Sequence, residues 1–332
     1  MNKQQRNTRR TLACILAPIL LLLACLYGLT YGSVSISPGE VWSILLGDRP
    51  ETSSLIIMDL RLPRVLIGLL VGACLAVSGA LLQGVMSNPL ADPGIIGVSA
   101  GGGLAAVIAM VVLPQYSYLL PAGAFLGSFL AAIMIYLLAW DSGASPMKIV
   151  LAGVAINALL GAAMNGFMVV FSDRVQAVLP WLSGGLSGRS WHHLGFAAPY
   201  ALIGLVLSLL AIKPANLLLL GDDSARLLGL RAEVSRFLII LLAALLAGTA
   251  VSVAGLVGFV GLVVPHAVRL LIGGDYHFLL PVSMLGGGAL VVFTDTAART
   301  WFDPVELPVG ILLAGVGAPF FLYLLRRRRL TS

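Results

Sequence analysis

Charged residues are scarce in this chain. Asp, Glu, Lys and Arg make up 10% of its 332 residues, whereas 59% are hydrophobic and the mean hydropathy is +1.01. A water-facing globule of this length cannot bury so much apolar surface. The basic residues lie in short clusters between apolar runs rather than on one face, which argues against a nucleic-acid partner. We therefore expect lipid to be the main solvent.

Motifs for nucleotide hydrolysis and metal chemistry are missing as well. A P-loop requires a Gly-Lys pair, but the three lysines follow Asn2, Met147 and Ile212. No HExxH, GxSxG or Cys-His cluster occurs, and the adjacent His192 and His193 lack the spacing that places two ligands on one helix face. We expect a chain that is not an enzyme and that binds no metal or cofactor itself.

Cysteine is scarce too. Cys14, Cys25 and Cys74 lie inside apolar runs and show no metal-ligand spacing. We expect all three to be small buried hydrophobic residues that carry no information about the redox compartment.

Ionisable residues are almost absent from the apolar runs. A transporter coupled to protons or sodium needs groups at membrane depth that bind and release the coupling ion. Here Asp295, His266 and Arg269 each lie close to the end of an apolar run. The energy for any transport is therefore expected to come from outside this chain.

The apolar runs predict an all-α, polytopic membrane protein with about ten transmembrane helices and a single domain over residues 1–332. One crossing needs roughly 20 apolar residues. The run from Phe237 to Gly274 is too long for one crossing, so a tight turn is predicted around Val253 to Gly255. The predicted spans lie near residues 12–31, 63–83, 94–113, 119–139, 149–171, 194–212, 235–252, 256–272, 279–297 and 307–325.

The distribution of basic residues predicts the orientation. With the N-terminus inside, fourteen of the twenty Lys and Arg residues fall on the inner side, as the positive-inside rule requires. Both termini are then cytoplasmic. The outer side receives the other six, which are Arg49, Arg61, Arg64, Arg174, Arg189 and Arg299.

Small and aromatic residues predict packing and depth. Gly123 and Gly127 have GxxxG spacing, which allows close approach of helices in lipid. Four tryptophans near predicted span ends are expected to form an interfacial belt, namely Trp42, Trp181, Trp191 and Trp301.

A series of short motifs follows the same order along the chain as in one known family. The motifs are Arg61-Leu62-Pro63-Arg64, residues 78–83, Asn88-Pro89-Leu90 with residues 91–94, residues 97–99, residues 220–230, residues 258–266, residues 306–310 and residues 317–320. In this order and at these intervals, the chain resembles the iron-siderophore and vitamin B12 permease family of ABC importers over nearly its whole length. Two positions depart from the usual pattern: Ser87 stands where arginine is common, and residues 99–102 replace the commoner Ser-x-Gly-Ala.

The resemblance implies the permease subunit of a type II ABC importer with a fold like that of the cobalamin importer. Such a subunit carries a ferric siderophore or similar metal chelate across the bacterial inner membrane; haem and cobalamin are alternative cargoes. It implies two ATPase partners that hold ATP and Mg, a periplasmic or lipid-anchored binding protein, and a second permease that is identical or paralogous. An ion-coupled secondary transporter and a structural membrane scaffold are the alternatives from other classes.

The same resemblance assigns roles at the two ends of the bundle. Arg61, Arg64 and Arg299 are expected to dock acidic residues of the binding protein, with snorkelling beside lipid headgroups as the alternative. A coupling helix for the ATPase is expected within about residues 214–233, with Asp222 or Asp223 as its N-cap and Gly229 as its stop; an ordinary capped loop helix is the alternative. The coupling residues are Gly221, Asp222, Asp223, Ser224, Ala225, Leu228, Gly229 and Leu230.

Two further sets of residues are expected along the path. Asn88-Pro89-Leu90 corresponds to the cytoplasmic gate of the family, although a plain turn would have the same sequence. Asn157, Gly161 and Asn165 follow i, i+4 and i+8 spacing and place two amides on one helix face. That face could line the translocation path, or its asparagines could form hydrogen bonds between helices.

Overall fold

The computed structural model describes residues 3–47, 51–141 and 145–329, and within these ranges the chain is helical, with no strand. Arg49, one of the six predicted outer arginines, lies outside the described residues. The α-helices are α1 Lys3–Thr30, α2 Pro38–Leu46, α3 Glu51–Leu55, α4 Leu62–Val85, α5 Val98–Val107, α6 Leu120–Leu138, α7 Pro146–Val170, α8 Val175–Leu182, α9 Trp191–Leu210, α10 Ile212–Leu218, α11 Asp222–Leu227, α12 Ala232–Ala254, α13 Val260–Ile272, α14 Tyr276–Thr300 and α15 Val309–Arg329.

An apolar helix lies at the position of each of the ten predicted spans. Seven are long and apolar enough to cross a membrane, and Val98–Val112, Val260–Ile272 and Val309–Leu322 are shorter apolar helices. A helix of 13 residues such as α13 rises about 20 Å, which is less than a hydrocarbon core of about 30 Å. The prediction of an all-α, polytopic membrane fold is confirmed.

Helices α4 and α12 form the centre of the bundle, because most residues of their apolar stretches are buried. α4 packs against α12, α13 and α14, whereas α1 and α7 lie at the periphery and expose most of their side chains. The prediction that all cysteines are buried is correct for Cys74 on α4. It is wrong for Cys14, which is exposed, and Cys25 is half-buried, because both lie on the peripheral α1.

Glycine pairs bring the central helices into backbone contact. Gly72 of α4 faces Gly287 of α14, and a Cβ on either residue would lie 2.1–2.2 Å from the carbonyl oxygen of the other. Gly101 of α5 and Gly127 of α6 form a second pair of this kind. Gly123 has no heavy atom within 4 Å of its Cβ position. The predicted GxxxG pair therefore packs through one of its two glycines.

The predicted turn between the seventh and eighth spans is present. α12 ends at Ala254, and Gly255 follows with φ +70°. A Cβ on Gly255 would lie 2.1 Å from the carbonyl oxygen of Trp181, so α8 packs directly on this turn. Trp181 is consequently buried, which corrects its assignment to an interfacial belt; the other three belt tryptophans are exposed.

Candidate functional site

One end of the bundle carries the short helix α11, Asp222–Leu227. Its N-cap is Gly221, with φ +88°, and the carbonyl of Gly221 accepts from the Ala225 N–H at 3.0 Å. Asp222 and Asp223 therefore occupy the first turn, which corrects the N-cap prediction. The Asp222 carboxylate accepts a hydrogen bond of 2.6 Å from the nearly buried Arg236 of α12, and this ion pair ties the start of α11 to the bundle.

The end of α11 has the predicted glycine stop. Gly229 has φ +81°, and the Leu230 N–H donates to the Ala225 carbonyl at 3.0 Å, which closes the last turn. Ala225 is fully buried against the bundle, whereas Leu227 is 89% exposed and Leu228 is 60% exposed. α11 is thus anchored at one face and projects two large apolar side chains, which a partner groove would bury.

A polar junction lies beside α11 and was not predicted from the sequence. Asn216 of α10 donates to the Asp275 carboxylate at 3.2 Å and accepts from the Tyr276 N–H at 3.0 Å. Arg10 of α1 pairs with the same carboxylate at 3.3 Å. Burial alone would raise the pKa of Asp275, but hydrogen bonds from His277 and Asn216, together with the Arg10 charge, leave the pKa below its usual value. The junction joins α1, α10 and α14.

The predicted gate residues form a compact turn after α4. The Asn88 N–H donates to the Gln83 carbonyl at 3.1 Å, and its side-chain oxygen accepts from the Leu90 N–H at 3.0 Å. Asn88 is exposed, while Pro89 and Leu90 are half-buried. Asp92 then accepts from the Gly94 N–H at 2.8 Å, and burial raises the pKa of Asp92 despite that bond. The turn that the sequence left as an alternative is present.

The three residues of the predicted path face have different surroundings. Asn157 donates to the Gly94 carbonyl at 2.9 Å and so joins α7 to the short 3₁₀ helix Pro93–Ile96 that follows the gate turn. Gly161 has no heavy atom within 4 Å of its Cβ position, and Asn165 is exposed. Asn157 therefore forms a hydrogen bond between two helical segments, as the alternative expected, and the path role of this face stays a prediction.

The opposite end of the bundle carries the predicted docking arginines, and we call it the arginine end. Arg61 is 4% exposed. Its guanidinium donates to the carbonyls of Leu29 at 2.7 Å, Thr30 at 2.9 Å and Val34. It satisfies carbonyls at and beyond the end of α1, where helical partners are lacking. Arg61 is thus a buried residue of the scaffold rather than an exposed or snorkelling cation, and its docking role stays a prediction.

Arg64 joins three elements at the arginine end. Its Nε and Nη2 donate to the two oxygens of Asp295 on α14 at 2.7 and 2.9 Å, and its Nη1 contacts Glu306 in the segment before α15. The side chains of Arg64 and Asp295 are 12% and 6% exposed. Arg299 donates to the Gly28 carbonyl on α1. The sequence predicted the arginines but not the carboxylates that pair with Arg64.

Within residues 3–47, 51–141 and 145–329, no three His, Cys, Asp or Glu side chains come together in a way that could hold a metal ion.

Comparison with known proteins connects these features to one family. The model of the FecCD transport family matches residues 20–327. An Fe(3+)-citrate import system permease of Bacillus subtilis is 40% identical over 98% of both chains, and a hemin transport system permease of Yersinia pestis is 40% identical over 94% of both. A cobalamin import system permease of Halobacterium salinarum is 45% identical over 85% of this chain and 76% of its own length.

A solved structure is similar over most of the chain. An ABC transporter assigned to the metal-chelate type, in an inward-facing conformation, superimposes with a TM-score of 0.85 at 30% identity and covers 94% of this chain and 98% of its own. The family model begins within α1 and includes both α11 and the arginine end. On this evidence the chain belongs to the FecCD transport family.

Proposed function

We propose that this chain is the membrane-spanning subunit of a binding-protein-dependent ABC importer that carries a ferric siderophore or a similar metal chelate. The observation that carries the proposal is α11, a capped helix that projects Leu227 and Leu228 from a chain with no P-loop of its own. Family relatives that import ferric citrate, hemin and cobalamin support the class of bulky chelates. Haem and cobalamin are therefore the alternative cargoes.

The proposed assembly supplies what this chain lacks. Two ATPase subunits bind ATP and Mg and receive α11, a binding protein delivers the chelate at the arginine end, and a second permease, identical or paralogous, completes the path. The α11 end then faces the cytoplasm of a bacterial cell, together with both termini. This orientation agrees with the excess of basic residues on that side.

Reconstitution tests this function directly. The purified chain, its ATPase and its binding protein are assembled in vesicles, and uptake is measured for ferric siderophores, ferric citrate, haem and cobalamin. We expect uptake only when ATP is supplied on the side of the membrane that carries the ATPase and the binding protein is present on the other side. Uptake driven by a proton or sodium gradient without ATP would instead establish the secondary transporter.

The docking role of the arginine end belongs to the same proposal. Arg64 and Arg299 would exchange partners with acidic residues of the binding protein, and Arg61 would hold the segment beside them in position. Guanidinium groups suit this exchange because they form bidentate bonds with carboxylates. An Arg299→Glu variant that folds normally should lose the stimulation of ATP hydrolysis by the binding protein. Unchanged stimulation would remove the docking role.

The gate and path residues are proposed on the same basis. Asn88, Pro89 and Leu90 would close the cytoplasmic mouth, and the face of Gly161 and Asn165 would line the path beside the second permease. The bond from Asn157 to the Gly94 carbonyl supports a link between that face and the gate segment. Enlarging Gly161 to leucine should slow uptake in the vesicle assay while leaving ATP hydrolysis in place; normal uptake would exclude it from the path.

Gly229 provides a sharp test of the coupling role of α11. Valine at this position should separate ATP hydrolysis from uptake, because a β-branched residue resists the φ of +81° that ends the helix. The strain costs about 1–3 kcal/mol locally. We expect ATP hydrolysis to persist while uptake per ATP falls several-fold, as measured in the reconstituted assembly.

The matched control is Gly229→Asn, since asparagine tolerates the left-handed conformation far better. It should retain most of the coupling. Equal uptake per ATP in the valine variant and the wild type would contradict the role of α11.

A further inference from the structure

A groove of about 880 Å³ runs along the surface of the bundle between α1 and the neighbouring helices α13 and α14, and we call it the α1 groove. Apart from Arg9 and Tyr27, the side chains that line it are apolar. Small residues that are buried or half-buried form its base: Ala13, Ala17, Gly286 and Ala289. Large side chains that are 44–60% exposed form its rims: Leu16, Leu20, Leu271 and Phe293. The groove exists because the small residues leave space between the helices.

The α1 groove follows the direction in which the helices cross the membrane. Its lining begins at Arg9 and extends to Tyr27, 18 positions further along α1, which is about 27 Å at about 1.5 Å per residue. That length is close to the hydrocarbon core of about 30 Å. At the far end, the ring centroids of Tyr27 and Phe293 lie 5.6 Å apart. Because α1 is peripheral and exposes most of its side chains, the open side of the groove faces lipid.

Arg9 supplies an exposed positive charge at one end of the α1 groove. Its side chain is part of the lining, and no carboxylate among the residues that the structure describes forms an ion pair with it. Arg6 is also exposed and lies three residues earlier, so it shares a helix face with Arg9. Two accessible guanidinium groups therefore stand where the apolar part of α1 begins.

The neighbouring charged groups do not compete for Arg9. Arg10 pairs with Asp275 at 3.3 Å and donates to the Ile272 carbonyl at 3.2 Å, so it holds α1 against α13 and α14. The Asp275 carboxylate also accepts from Asn216 and is therefore occupied. Arg269 of α13 adds a further positive charge and lies against the Tyr276 ring rather than a carboxylate. This end of the groove is thus rich in positive charge.

From these observations we infer that the α1 groove binds an anionic phospholipid, with an acyl chain along its base and the phosphate at Arg9. A phospholipid supplies both parts at once and at the depths where the membrane places them: a long apolar chain beside α1 and an anion at the start of its apolar stretch. Basic sites between transmembrane helices bind anionic headgroups in this way, and arginine forms bidentate bonds with phosphate. The bound chain fills the space between α1 and the bundle. This role goes beyond the proposed transport function.

The headgroup part is tested with the purified full chain in detergent, freed of lipid and titrated with phosphatidylglycerol or with phosphatidylcholine that carries the same acyl chains. Native mass spectrometry gives the Kd of the first lipid that stays bound. We expect phosphatidylglycerol to bind about 5-fold more tightly, which is the usual contribution of one basic residue. Arg9→Gln should remove this difference. The matched control is Lys213→Gln, which removes one exposed positive charge outside the groove lining and should preserve it.

The acyl-chain part is tested by filling the base of the groove. A Cβ at Gly286 would meet only a methyl group of Val264, at 3.4 Å, so Gly286→Leu fits the fold while occupying space in the groove. It should weaken binding of both lipids several-fold, because the chain loses its packing contacts. The control is Gly315→Leu on α15, which has no heavy atom within 4 Å of its Cβ position and lies outside the groove lining. It should leave both Kd values unchanged.

Four results would overturn the inference. Equal Kd values for the two lipids in the wild type would remove the headgroup preference, and an equal effect of Lys213→Gln and Arg9→Gln would show a general effect of charge. Displacement of phosphatidylglycerol by glycerol 3-phosphate at matched ionic strength would indicate a site for free phosphate. If Gly286→Leu converts a dimer to a monomer without changing lipid binding, a second copy of the chain covers the groove instead. The titration needs neither ATP nor a partner protein, so its failure leaves the proposed transport function unaffected.

Discussion

Replacing Gly127 by leucine should be among the most destabilising single changes in this chain. A Cβ at Gly127 would lie 2.5 Å from the Gly101 carbonyl oxygen and 2.7 Å from the Ala105 Cβ, so α5 and α6 would have to move apart. Overpacking of this kind usually costs about 1–3 kcal/mol, and a backbone oxygen yields less than a side chain does. We expect a loss at the upper end of that range or beyond, measured by reversible unfolding in detergent micelles.

Gly123→Leu is the control for this prediction. It lies one turn away on the same helix, adds the same side chain, and has no heavy atom within 4 Å of its Cβ position. Its unfolding free energy should stay within about 0.5 kcal/mol of the wild type, as for changes away from packed features. Similar losses of stability in the two variants would show that adding leucine to α6, rather than disrupting the contact between Gly127 and Gly101, causes the loss.

Removing Arg64 should also cause a large loss of stability. Arg64→Leu leaves the Asp295 carboxylate without the two hydrogen bonds that Arg64 donates to it, and the Asp295 side chain is only 6% exposed. Breaking a buried ion pair by removing one partner costs about 3–5 kcal/mol. We expect a loss of this size in the same unfolding assay, and Asp295→Leu should cost less because Glu306 still pairs with Arg64.

A double-mutant cycle separates pairing from packing. Arg64→Leu combined with Asp295→Leu should be more stable than the Arg64→Leu variant alone, since no carboxylate is then buried without its partner. Lys148→Gln, which removes an exposed pair with Asp141, should cause no measurable loss. Additive losses in the Arg64 and Asp295 variants would contradict the pairing.

Features that depend on neighbouring residues could be predicted well from the sequence. The Gly229 stop of α11 and the turn near Gly255 both follow from short-range geometry, because glycine adopts positive φ where other residues resist it. The error at Asp222 was of one residue: Gly221 is the N-cap and Asp222 pairs with Arg236 of α12 instead. That ion pair joins positions 14 residues apart, which local patterns do not encode.

Features that join distant spans could not be predicted in this way. Gly127 packs on Gly101 rather than acting with Gly123, Arg61 bonds to the carbonyls near the end of α1, and Asn157 bonds to the Gly94 carbonyl. In each case the residue type indicates what the side chain can do, but the identity of its partner depends on how the helices pack.

The sequence by itself determined that lipid surrounds the protein, that its fold is helical and where its spans approximately lie. It could do so because exposing polar backbone or charge to lipid is costly, and this cost applies to each apolar run separately. The resemblance of its ordered motifs to one family indicated the same architecture. Only the tertiary structure decided which partners the arginines have. Arg61 donates to backbone carbonyls near the end of α1 and Arg64 pairs with Asp295 and Glu306, since such pairing depends on which helix ends meet in space.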